Sequence, residues 1–167
     1  MRVMIVGCGR VGAGLAERMA RAGHEVTVLD LESSAFKRLE SDFPGQALRG
    51  DGTDEDVLRR AGMQGVDMFF ALTEGDNRNV LAAQLASETF GVPRVVAKIN
   101  DPVRAEAYTA LGLNTICRTR LLVDALAVSA GLPPDPGASG VQQATGHHTH
   151  ASDGAAARAP VAGSAEV

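Results

Sequence analysis

Residues 1–30 read MRVMIVGCGRVGAGLAERMARAGHEVTVLD, and the fold of the whole chain is decided in them. The apolar run at 3–6 has the composition of a buried strand. It leads into Gly7-Cys8-Gly9-Arg10-Val11-Gly12 and then into residues 11–22, where Leu15, Met19 and Ala22 recur at helical spacing. Gly23 supplies a left-handed stop, and a second apolar run at 25–29 closes on Asp30. The glycines at 7, 9 and 12 fall at G-x-G-x-x-G spacing. A residue without a side chain at those points lets the backbone turn tightly, lets a diphosphate approach, and lets helix pack on strand. The pattern alone is common. Placed after a strand, before a helix, and about 20 residues ahead of a carboxylate, it becomes specific. The plain alternative is a tight strand–helix turn with no ligand.

The alternation continues to about residue 130. A second helix is expected after Asp30, with Ser33 or Ser34 as cap and Phe36 and Leu39 buried, broken by Pro44-Gly45. A short strand at 47–49 precedes a helix at 54–61, for which Thr53 can act as cap and Asp56 holds the capping-box position. The near-continuous apolar run at 67–72 reads as a strand buried on both faces. One long helix at 77–90, a strand at 94–99, a helix at 102–111 with Pro102 at its first position, a short strand at 114–117 and a last helix at 121–130 follow. Strands alternating with helices specify a parallel sheet covered on both faces. Right-handed crossovers then give an α/β, Rossmann-type, doubly wound parallel six-stranded sheet in two mononucleotide halves.

From residue 131 the composition shifts to Ala, Gly, Ser, Thr, Pro and His. Residues 131–167 are expected to form a disordered tail, because such a segment buries too little surface to offset its ordering entropy. His147, His148 and His150 resemble a metal tract, but no cysteine stands with them and no metal site is expected.

Apolar residues make up 45% of the chain and the formal net charge is −4. That apolar share supports one ordinary core without disulfides or metals. The acidic balance argues against a nucleic-acid partner or an anionic-membrane surface. Cys8 and Cys117 read as small apolar fillers, which points to a reducing cytoplasm. No apolar run approaches the about 18 residues of a membrane span, so direct membrane insertion is not expected, nor is a secretory leader.

The candidate site is a nucleotide site. The glycine turn puts backbone N–H groups and the positive end of a helix at one point. Asp30 can accept both ribose hydroxyls of an adenosine, and can also cap the next segment. Leu31 and Glu32 follow without an arginine to neutralise a 2′-phosphate, which favours NAD(H), or ATP and ADP, over NADP. Arg10 either forms bidentate bonds to a terminal phosphate or is a solvated arginine. Asp51 and Gly52 lie beside the adenine or simply make a turn. Leu72 and Thr73 end a strand across the crevice, and Asn77 and Asn79 read as helix caps. Lys98, one of two lysines with Lys37, stands in an apolar strand and needs an anion unless it snorkels to solvent.

Val6 to Gly12, Val28-Leu29-Asp30, Gly50-Asp51-Gly52-Thr53, Ala71-Leu72-Thr73, Asn79 and Ala97-Lys98-Ile99-Asn100-Asp101-Pro102 occur in fixed order. Together they resemble the TrkA-N family, the nucleotide-binding domain that regulates conductance of potassium (RCK or KTN), over residues 1–130. The resemblance implies a cytoplasmic regulatory subunit that binds NAD(H) or ATP/ADP and gates a membrane potassium transporter or channel. It implies a homo-oligomer in which dimers build a ring, held peripherally at the inner face of the membrane by its partner. It carries the site over to Gly7, Cys8, Gly9, Arg10, Val11, Gly12, Asp30, Leu31, Asp51, Gly52, Leu72, Thr73 and Lys98, with Arg10 meeting a terminal phosphate. Two positions depart from the family pattern. Lys98 stands where arginine is common, turning a bidentate grip into a point charge, and Arg118-Thr119-Arg120 replaces a Ser-Pro-Glu type segment before the helix of subunit contact. No second ligand-binding domain is expected in this chain.

Two rival readings follow from the same residues. A small NAD-dependent oxidoreductase needs an acid–base pair; Tyr108 has Gly112 four positions on instead of lysine, and His24 is the sole histidine before the tail. A nucleotide sensor with a non-transport partner, such as a transcriptional regulator, would show a helix-turn-helix and basic surface, which this chain lacks.

Overall fold

The computed structural model describes residues 1–133 and 141–142. Its strands are β1 (Arg2–Val6), β2 (Glu25–Asp30), β3 (Gln46–Arg49), β4 (Met68–Ala71), β5 (Arg94–Ile99), β6 (Thr115–Cys117) and β7 (Val141–Gln142). Its helices are α1 (Arg10–Arg21), α2 (Glu55–Arg60), α3 (Asp76–Gln84), α4 (Pro102–Ala110) and α5 (Arg118–Ser129). The sheet order is β3-β2-β1-β4-β5-β6-β7. The six expected strands all pair in parallel, and β1 lies at the reversal point, with Val3 opposite Val26 on one side and Met68 on the other. The added β7 pairs antiparallel with β6 at Ile116–Val141. The remainder of the tail, with its histidines, lies outside the described residues.

Alternation along the strands divides the core into two layers, as period-two side chains require. Val3, Ile5, Val26, Val28, Phe70 and Leu72 pack with Ala13 and Ala16 of α1. Met4, Val6, Leu29, Phe69, Ala71 and Ile99 pack on the other face with Leu58 of α2, Val80 and Ala83 of α3, and Ala105 of α4. The central strands are apolar at nearly every position because both faces are covered.

Several local expectations change. The segment after Asp30 is a 3-10 helix, Ser33–Arg38, with no side-chain cap. Asp54, not Thr53, caps α2, accepting from the N–H groups of Asp56 and Val57 at 2.9 and 3.1 Å. Thr53 is drawn instead to the Asp51 carboxylate two residues back, an Asx-type turn that competes with capping. The long helix is α3 followed by a π turn, Leu85–Thr89, where the Phe90 N–H reaches the Leu85 carbonyl at 3.1 Å. None of the 12 residues of α5 is buried, and Leu121, Leu122, Val123, Leu126 and Val128 are exposed along it. No helix among the described residues is long and apolar enough to cross a membrane.

Candidate nucleotide site

The glycine turn links β1 to α1 at the carboxyl edge of the sheet, beside the reversal point, where open α/β sheets form a crevice. Each glycine answers a different constraint. Gly7 has φ +103°, and a Cβ there would lie 2.8 Å from the backbone of Leu72 and Thr73. A Cβ at Gly12 would fall 1.9 Å from the Gly7 carbonyl oxygen, so this glycine sets how closely α1 approaches β1. Gly9 is unlike both. It has an ordinary extended backbone, φ −76°, and a Cβ there would meet nothing within 4 Å. The packing of the fold does not require glycine at that position, and the missing side chain leaves the surface toward the cavity open.

Gly9 is also the N-cap of α1 and offers no side-chain acceptor, and the first turn has no acidic residue. The first-turn N–H groups, which no helix can satisfy internally, are therefore left for an external acceptor at the positive end of the helix. The turn is fixed from the other side. Asp30 Oδ2 accepts from the Cys8 N–H at 2.7 Å, and Oδ1 accepts from the Glu32 N–H at 2.9 Å. Burial, with the Asp30 charge adding to it, pushes the Cys8 thiol pKa up, so Cys8 is a packed neutral thiol.

These groups border a cavity of about 570 Å³, a size suited to a small-molecule ligand. Gly7, Cys8 and Gly9 form its floor, and Asp30, Leu31 and Glu32 one wall. Asp51, Gly52 and Thr53 lie at the end of β3, and Leu72, Thr73 and Glu74 at the end of β4. Asp51 is held by the Thr53 N–H at 2.9 Å and hydroxyl at 2.7 Å. Those bonds, chiefly the hydroxyl, lower its carboxyl pKa, with the charge of Arg78 helping against burial. Four residues that the sequence singled out lie off the cavity. Arg10 and Val11 are exposed on the first turn of α1, Gly12 is inside the packing, and Lys98 lies deeper in β5.

Several residues that border or support the cavity were not singled out as site residues by the sequence. Ser34, Arg38 and Arg78 line the same cavity. Asn79, expected as a cap, is fully buried and uses both ends of its amide. Its Oδ1 accepts from the Thr73 N–H and hydroxyl at 2.8 and 2.7 Å, and its Nδ2 donates to the carbonyls of Thr73 and Lys98 at 3.0 and 2.8 Å. It ties the end of β4 to β5 and fixes Thr73 against the cavity. The signal was present: Asn79 shares an inward helical face with Ala82, Ala83 and Ala86. Asn77 likewise is not a cap; its Oδ1 accepts from Arg104.

A larger cavity, about 810 Å³, lies between the starts of α3 and α4. Part of its polar lining is already engaged, while Asn100 Oδ1 is buried without a partner among the described residues. Asp76 accepts from the N–H and Nδ2 of Asn100, both at 2.9 Å, and Asp101 caps α4.

The TrkA-N domain model matches residues 3–119. The Trk system potassium uptake protein TrkA of Streptomyces coelicolor is 45% identical over 124 residues, which cover 74% of this chain and 56% of that protein. The chain thus spans little more than half of that relative's length. Among solved structures, the Shewanella denitrificans Kef CTD in AMP-bound form aligns with TM-score 0.68 at 22% identity, covering 78% of this chain and 79% of that one. The GsuK channel bound to NAD aligns with TM-score 0.64 at 21% identity, covering 76% of this chain and 23% of that one. Order of motifs, sheet topology and family match agree: the chain belongs to the TrkA-N domain family.

Proposed function

We propose that this chain is a non-catalytic regulatory module that binds NAD(H) or ATP/ADP and, through that binding, gates a membrane potassium transporter or channel from the cytoplasmic side. The observation that carries the ligand half is the uncapped start of α1 at Gly9, whose missing side chain leaves the cavity floor open to a phosphate. Asp30 keeps acceptor capacity beyond its two amide bonds and is suited to a ribose diol. The regulatory half draws support from the name of the Streptomyces relative and from the channel that shares the fold. The exposed apolar face of α5 suits self-association into the dimers from which a ring is built. In this mechanism the nucleotide binds two ring shapes with different affinity, and that difference biases the pore.

An oxidoreductase reading finds no support in the cavity, because no histidine, tyrosine or lysine is among its lining residues. Calorimetry of the purified chain with NADH and with ATP tests the proposal. Binding of at least one, lost in Asp30→Ala, is expected. If neither binds at millimolar concentration, the mechanism fails.

A further inference from the structure

We propose that Arg78 is the residue that grips the terminal phosphate of a nucleoside diphosphate or triphosphate in this cavity, selecting such ligands over dinucleotides. The inference rests on the nucleotide-site reading above and gives that site a preference between its two ligand classes. Sequence spacing nominated Arg10 for the terminal phosphate, but Arg10 is outside the cavity lining. Two other arginines line it. Arg38, on the adenosine side, donates to the Ala35 carbonyl at 3.4 Å. Arg78 makes no hydrogen bond and no ion pair among the described residues, and it lines both this cavity and the neighbouring one of about 810 Å³.

Its position follows from topology. The glycine turn follows β1 and Arg78 follows β4 in the first turn of α3, so the two stand on opposite sides of the strand-order reversal. A nucleotide with its ribose at Asp30 and its inner phosphate on the α1 amides directs its next phosphate toward the α3 side. Besides Arg38, the cavity otherwise presents the carboxylates of Asp30, Glu32, Asp51 and Glu74, which repel an anion. A free guanidinium on that wall offsets the repulsion where the chain of phosphates ends. The charge of Arg78 also helps to lower the Asp51 carboxyl pKa, behind the two hydrogen bonds from Thr53.

The chemistry discriminates by charge. A terminal phosphate monoester carries about −1.5 to −2 at neutral pH, whereas each phosphate of a dinucleotide diphosphate is a diester with one charge. The monoester also offers two free oxygens in the plane that a guanidinium fork matches.

The test is calorimetry of ADP and NADH against the parent chain, Arg78→Gln and Arg78→Lys. Arg78→Gln is expected to weaken ADP about tenfold or more and NADH by less than about threefold. Arg78→Lys is expected to fall between parent and Gln for ADP, keeping the charge but not the fork. Because Arg78 is exposed and unbonded, the melting midpoint of each variant without ligand should match the parent. Equal weakening of both ligands, or ADP affinity unchanged in Arg78→Gln, overturns the role of Arg78 while leaving a nucleotide site in place. A parent chain that binds neither ligand overturns the site itself, and this inference with it.

Discussion

The backbone N–H of Cys8 donates to Oδ2 of Asp30 at 2.7 Å, joining the floor of the cavity to the end of the neighbouring strand. The carboxylate expected to meet a ribose is therefore also the group that sets the height of the phosphate turn. In the proposed site, affinity at one end of a nucleotide and geometry at the other would depend on one side chain.

Asp30→Ala removes both amide acceptors and is expected to cost about 1.5–3 kcal/mol of stability, read by chemical denaturation, together with nucleotide binding. Asp30→Asn keeps one acceptor oxygen, so it should recover part of the stability and little of the binding. Parent-like affinity in either variant would exclude a ribose role for the carboxylate.

Gly9 and Gly12 share a motif but not a reason. Gly9→Ala places a methyl where the chain has nothing within 4 Å, so stability should stay within about 0.5 kcal/mol of the parent. Nucleotide affinity should nonetheless fall at least about tenfold, since the methyl occupies the phosphate position. Gly12→Ala forces a Cβ to 1.9 Å from the Gly7 oxygen and should lower stability by about 3 kcal/mol or more. Thermal melts and calorimetry on both variants separate the two effects. Loss of stability in Gly9→Ala would show that the open surface is needed by the fold and not by a ligand.

Asn79→Leu is nearly isosteric but leaves the Thr73 N–H, its carbonyl and the Lys98 carbonyl without their buried partner. About 2–4 kcal/mol of destabilisation is expected. Hydrogen exchange should rise first at Thr73, whose amide bonds directly to the lost oxygen. An Asn79→Leu variant as stable as the parent would mean that the amide is dispensable to the packing of β4 and β5.

Most of the frame was legible because its signals are local. Glycine spacing, apolar runs and the Asp30 position placed six parallel strands, and the boundaries of β5 match the expected 94–99. What was not legible depends on tertiary partners. Thr53 has the chemistry of a cap, yet Asp51 competes for it, and only the folded turn decides. Asn79 looked like a cap by proximity to a helix start, but Thr73 and the β5 carbonyl draw it inward. Arg38 and Arg78 lie beyond the motif residues and reach the cavity through the directions of a 3-10 helix and of α3, which spacing alone does not reveal. β7 has too short and polar a sequence to announce a strand; pairing with the β6 edge creates it.

Lys98 is 5% exposed, alternates with the core residues Ala97 and Ile99, and has no hydrogen bond or ion pair from its ammonium among the described residues. Burial, with the nearby charge of Arg118, lowers its pKa from the ordinary 10.5, while Glu74 and Asp76 oppose the shift. The sign follows from proton counting. Between the depressed folded value and 10.5 the unfolded chain holds a proton that the folded chain has released, so stability rises with pH across that window. Below the window the lysine is charged in both states, and the folded chain bears the desolvation cost of its ammonium. Lys98→Met removes that cost and should stabilise the ligand-free protein at neutral pH by on the order of 1 kcal/mol. The advantage should shrink as pH climbs through 10.5, well above which the lysine is neutral in both states. Denaturation midpoints at neutral and at alkaline pH provide the comparison. If Lys98→Met is less stable than the parent at neutral pH, the ammonium is satisfied in the folded state and burial is not what sets its pKa. If it is more stable but binds nucleotide less well, the charge is retained for the ligand at the expense of the fold.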